Sequence, residues 1–76
     1  MFKDTVEYIA KSLVDNPDKV VVNEIVDGDN VTLELSVADD DMGRIIGKGG
    51  RVVNSIRTIL QVPAAKQGKR VNLEIV

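Results

Sequence analysis

Seventy-six residues suffice for one domain, near the size at which a single core only just outweighs chain entropy, and leave no room for a second. Apolar residues make up 43% of the chain, enough for a packed core, but there is no cysteine and no histidine, so disulfides, thiolate nucleophiles, imidazole bases and the commonest metal ligands are all missing. The net charge of −2 conceals an asymmetry: residues 1–41 carry three lysines against eleven acids, whereas residues 42–76 carry seven bases against Glu74 alone.

Phe2, Val6, Ile9, Ala10, Leu13 and Val14 recur at helical spacing until Asn16-Pro17 stops them, which predicts a helix over residues 3–15. Acids among these apolar residues speak against a signal peptide, and no stretch approaches the roughly 20 apolar residues of a membrane span, so a cytoplasmic protein with no membrane partner is expected. "KVVVNEIV" predicts a strand over 19–26, and Asp27-Gly28-Asp29-Asn30 supplies hairpin-turn chemistry. In the next strand, 31–38, Val31, Leu33, Leu35 and Val37 alternate with Thr32, Glu34 and Ser36, so one face is buried and one wet. Asn30-Val31-Thr32 matches the glycosylation sequon but has no secretion signal to give it meaning.

Asp39-Asp40-Asp41 can cap a short helix over 40–46; three adjacent acids can also gather round a hard cation such as magnesium. After Gly47-Lys48-Gly49-Gly50, the stripe Val52, Val53, Ile56, Ile59 and Leu60 predicts a second helix over 50–61, with Arg51, Asn54, Ser55 and Arg57 outside it. "QVPAAKQGKR" reads as a loop, and Val71, Leu73 and Ile75 alternate as a last strand over 70–76. The order α-β-β-α-α-β implies an α+β two-layer sandwich, a three-stranded mixed sheet with helices on one face.

The glycines need a reason, since each inside a helix costs about 0.5 to 1 kcal/mol against alanine. A P-loop would need four residues between Gly43 and the next glycine and a hydroxyl after Lys48; there are three residues, followed by Gly49. A dinucleotide fingerprint would put glycine at Val52 and follow a strand. What remains is a Gly-x-x-Gly turn between helices, where a sugar-phosphate chain can approach bare main chain and the ammonium of Lys48.

"IIGKGGRVVNSIRTIL", set between these helices and strands, resembles the K-homology (KH) motif, and the helix and strand before it resemble the type II arrangement of small stand-alone bacterial KH proteins. That resemblance covers the whole chain and implies a non-enzymatic protein, without cofactor or metal, that clamps about four nucleotides of single-stranded RNA. Carried over by position, Gly47, Lys48, Gly49 and Gly50 contact phosphates, with Arg44 and Arg51 beside them. Ile45, Ile46 and Val53 supply core and an apolar floor for bases, and Lys66 and Lys69 lie in the variable loop that forms the opposite wall. The only aromatics, Phe2 and Tyr8, fall on the first helix, so stacking on aromatic rings is absent from the groove and sequence selectivity should be low. The resemblance also implies an RNA chaperone or post-transcriptional regulator that works as a homodimer, or as a heterodimer with a second RNA-binding subunit. Two other classes fit the residues: a helix-turn-helix reading duplex DNA through Arg51, Asn54, Ser55 and Arg57, and a protein-interaction subunit whose glycine turn is vestigial.

Overall fold

The computed structural model describes residues 2–76. Helix α1 (Phe2–Leu13) leads into strands β1 (Val21–Asp27) and β2 (Asn30–Ser36), helices α2 (Met42–Ile46) and α3 (Arg51–Lys66), and strand β3 (Arg70–Ile75). Short 3-10 turns, Pro17–Lys19, Asp39–Asp41 and Lys48–Gly50, fill the joints. The sheet order is β1-β2-β3, antiparallel between the first two and parallel between the last two.

This α+β architecture follows from β2. Its alternation places Val31, Leu33 and Leu35 in the core with Val37 beyond them, while Thr32, Glu34 and Ser36 turn to the helix-free side. Asp27 pairs with Asn30 around Gly28-Asp29, and Gly28 takes the left-handed φ of +61° that lets a two-residue turn match the strand twist. Leu33 then lies beside Leu73 of β3, and Val6 and Ala10 of α1, Ile45 of α2, and Ile56, Leu60 and Ala64 of α3 close over the sheet. Burying each large aliphatic side chain contributes about 1.5 to 3 kcal/mol, so β2 and its neighbours carry much of the stability.

The structure departs from the sequence reading in two places. First, the segment expected as a loop after residue 61 is helical to Lys66, with Pro63 inside the helix. Proline deprives the Ile59 carbonyl of its helical donor, but Ala64 packs into the core and Ala64-Ala65-Lys66 have high helix propensity, so burial outweighs the lost bond. Gly68 stops the helix instead: at φ +65° its N–H donates to the Ala65 carbonyl at 3.1 Å, and the Lys69 N–H donates to the Ala64 carbonyl at 2.9 Å. The connection to β3 shrinks to three residues.

Second, the acidic triplet does not cap its own helix. Asp41, at the start of α2, makes no capping hydrogen bond from its side chain to that helix. Its carboxylate is 1% exposed and turns back to the α1–β1 connection. There Oδ1 accepts the Asp15 N–H at 3.1 Å, and Oδ2 accepts the Asn16 N–H and side-chain Nδ2, each at 3.0 Å. Asp39 and Asp40 stay exposed, and among the described residues no cluster of three acids could hold a metal ion.

The Asp15 N–H above all, supported by the Asn16 donors and the charge of Arg44, holds the Asp41 carboxyl below the ordinary aspartate range despite its burial. A depressed native pKa means that this contribution is complete above the unfolded value, about 3.9, and is lost as pH falls through the native pKa. Asp41→Asn should therefore melt at a lower temperature than the parent at pH 7, with the gap narrowing as the pH is taken below about 4. Melts at several pH values check this, and a pH-independent gap would contradict it.

Candidate nucleic-acid interface

Ile45 at the end of α2 and Val53 at the start of α3 both belong to the core, so the chain must turn back within Gly47–Gly50. It does so with φ of +74° at Gly47, +65° at Gly49 and +79° at Gly50. An L-residue in the left-handed helical geometry of Gly49 and Gly50 costs about 1 to 2 kcal/mol, and Gly47, with ψ at 172°, lies in a region open essentially to glycine alone, so the three glycines are first a conformational requirement. Their surroundings then differ. A Cβ on Gly47 would lie 2.5 Å from Val52 Cγ2 and 2.9 Å from the Val52 nitrogen, whereas one on Gly49 would meet nothing within 4 Å. Gly47 is thus bare because α3 starts against it, and Gly49 is the position where another molecule can come close.

The residues expected around the turn separate. Lys48 and Arg51 are exposed beside it, and Ile46 is the half-open apolar residue, while Ile45 and Val53 are withdrawn into the core. Arg44 is held back across α2: its Nη2 lies 3.0 Å from Asp15 Oδ2 and its Nε 3.9 Å from Asp41 Oδ1. Its charge is shared with two acids, although the exposed Asp15 pair contributes little in water. Lys66 is not brought to the turn. Sixteen helical residues carry the chain from Gly50 to it, about 24 Å at 1.5 Å per residue, so it lies at the far end of α3 from the turn.

The outer edge of β3 lies alongside α3. Between it and α3 runs a cleft of about 410 Å³ lined by Arg57, Gln61, Asn72, Leu73 and Glu74, with Val71 behind. Arg57 spans it: Nη2 and Nε donate to the Leu73 carbonyl at 2.9 and 3.3 Å, and Nη1 donates to Asn54 Oδ1 at 3.0 Å. Asn54 Nδ2 in turn sits 3.5 Å from the place a Gly50 Cβ would occupy. Asn54 and Arg57 therefore make a continuous polar track from the glycine turn to the sheet edge. Sequence reading gave these residues weight only as base readers of a helix-turn-helix; their i, i+3 spacing put them on one helix face, but the strand opposite could not be read. The same contacts weaken the duplex-DNA alternative, because Arg57 is directed at β3 and the Ser55 hydroxyl donates to the Arg51 carbonyl of its own helix at 2.7 Å.

Charge orients the site. Lys48, Arg51 and Arg57 follow the track, while on the helix-free sheet face Glu34 and Glu74 stand side by side in register and repel an anionic chain. The glycines can be ranked by experiment. Gly47→Ala should lower stability more than Gly49→Ala, which bears only the backbone cost of about 1 to 2 kcal/mol; urea melts of the two variants check the order.

A family model described as "KhpA/KhpB, KH domain" matches residues 3–75. "RNA-binding protein KhpA" of Clostridium perfringens is 49% identical over 74 residues, spanning 97% of this chain and 99% of that one. The protein of the same name from Aquifex aeolicus is 52% identical over 73 residues, covering 96% and 92%. Among solved structures, Era of Aquifex aeolicus bound to GDP and aluminium fluoride superposes with a TM-score of 0.64 at 27% identity, over 97% of this chain but only 29% of Era. A second Era structure, in complex with MgGDPNP and a segment of 16S ribosomal RNA, gives 0.61 at 21% identity over 97% of this chain and 28% of Era, a likeness of fold alone. With the glycine turn, the helix pair and the mixed sheet all in place, the chain belongs to the KhpA/KhpB family of KH domains.

Proposed function

We propose that this chain is a non-enzymatic, cytoplasmic, single-stranded RNA-binding module that grips about four nucleotides along the track from Gly47 to the β3 edge. The observation that carries the reading is the open space at Gly49 in a turn continuous, through Asn54 and Arg57, with a cleft beside an edge strand. The RNA-binding relatives named above support the choice of ligand.

Phosphates approach Gly49 and the start of α3, where the helix dipole favours negative charge, and the Lys48 ammonium closes on them. Downstream bases enter the α3–β3 cleft, where Arg57, Gln61 and Asn72 offer donors and Ile46 offers an apolar edge. A duplex would have to present both strands to a cleft bounded by the Glu34–Glu74 face, so a single strand fits better. Phe2 is buried and Tyr8 is exposed on α1, which packs on β1 and β2, away from the β3 edge. Bases therefore find no aromatic platform, which forgoes about 1 to 3 kcal/mol per base and leaves backbone contacts to carry much of the affinity.

Weak single sites are strengthened by linkage. We take the working unit to be a pair, either two copies or this chain with a second RNA-binding subunit of the KhpB kind, acting as an RNA chaperone or post-transcriptional regulator.

Lys48→Asp combined with Gly49→Asp puts two carboxylates where phosphates go, and aspartate tolerates left-handed backbone better than most residues. The double variant should stay folded by circular dichroism and lose single-stranded RNA binding; unchanged affinity in a folded double variant would refute the clamp. For the parent, two to four phosphate contacts should make log affinity fall with log salt at a slope of roughly 1.4 to 2.8, measurable by fluorescence anisotropy. Matched single-stranded RNA should bind more tightly than duplex DNA.

A further inference from the structure

Glu74 is the one acid in residues 42–76, yet it stands on the cleft that an anionic strand would follow. It lines that space of about 410 Å³ together with Arg57. Both side chains are exposed and oppositely charged, but among the described residues no ion pair joins them. Glu34, in register on β2 and on the same sheet face, repels the Glu74 carboxylate toward the outer edge and so toward the cleft.

Arg57 has hydrogen-bonding capacity to spare. A guanidinium carries five N–H groups. The Leu73 carbonyl takes the one on Nε and one on Nη2, and Asn54 Oδ1 takes one on Nη1, which leaves one N–H on each terminal nitrogen. The same bonds hold the group between helix and strand. Glu74 has two carboxylate oxygens that no side-chain partner among the described residues occupies. The cleft therefore offers two donors from one residue and two acceptors from another.

Among the RNA bases only guanine matches both. Its N7 and O6 are neighbouring acceptors, the pair that arginine reads most often in duplex DNA, and its N1–H and N2 amine are neighbouring donors that a carboxylate accepts together. Adenine sets its N6 amine beside N7, uracil alternates acceptor and donor, and cytosine has a single amine to give the carboxylate.

We propose that the α3–β3 cleft is a guanine pocket, with Arg57 on the N7/O6 edge and Glu74 on the N1–H/N2 edge of one base in the bound strand. This rests on the single-stranded RNA reading above and names the base selected at one position of it. Glu74 then has two effects: it keeps phosphates on the α3 side of the cleft, and it accepts from the one base whose edge suits it. No aromatic platform is needed, because the selection is made by hydrogen bonds in the plane of the base.

Short uridine oligomers carrying one central guanosine, adenosine or cytidine, compared by competition fluorescence anisotropy on the intact protein, test this. The guanosine oligomer should bind about tenfold more tightly than the other two and than plain oligouridine. Substituting 7-deazaguanosine, which lacks the N7 acceptor, or inosine, which lacks the N2 amine, should each remove part of that advantage. Arg57→Lys keeps a positive charge but not the paired donors, and should bring the guanosine-to-adenosine ratio close to one. Glu74→Gln should tighten plain oligouridine by removing a repulsive charge while lowering the guanosine ratio. An acid that merely repels would instead tighten every oligomer equally and leave the ratio as it was, which would overturn the pocket. So would a guanosine advantage that survives both base analogues, a result that does not depend on either variant folding. Equal binding of all the oligomers would overturn the pocket and leave the single-strand reading standing, whereas a protein that binds none of them would overturn both.

Discussion

Reversal of the chain between α2 and α3 within four residues is the constraint on which the rest of the molecule depends. Ile45 and Val53 must both reach the core, and no regular helix joins them. Left-handed backbone at Gly47, Gly49 and Gly50 achieves the reversal, and in doing so strips side chains from the one convex corner where two helices meet. A requirement of packing thereby creates open main chain with a lysine at its tip. Exposed main chain at this corner is a by-product of the turn, which explains how a domain of this size can present it without adding any segment to form it.

The corner must also be held still, and α2 is too short to do this alone. Five residues give barely more than one turn, below the length at which a helix persists without tertiary support. Asp41 supplies that support. By accepting three N–H groups from Asp15 and Asn16, it fixes the start of α2 to the end of α1, twenty-five residues earlier. Arg44 adds a second tie to the same place at the surface. The acidity of the N-terminal half therefore serves partly as internal fastening, through Asp41 and Asp15, while the positive charge is concentrated in the C-terminal half.

The alternation in β2 and the helical stripe at the start of α3 could each be satisfied by one structure only, so these elements are legible from their apolar periods. The turn was equally legible, since three glycines and a lysine between two helices admit few purposes. Two things were hidden. Pro63 and Gly68 are both breakers on local chemistry, and only the burial of Ala64 reveals that the helix runs through the first and stops at the second. The role of Asp41 was hidden as well, because an acid before a helix looks like a cap whichever way its carboxylate points. Arg57 belongs with these: its importance comes from a backbone carbonyl sixteen residues away, which no local pattern records.

That guanidinium has a consequence for how large an assembly can grow. A sheet with two bare edges can recruit copies at both ends and propagate into a filament. Here the Leu73 carbonyl at one boundary is already taken by an arginine of the same molecule, so a strand added there must first displace hydrogen bonds that the molecule makes with itself.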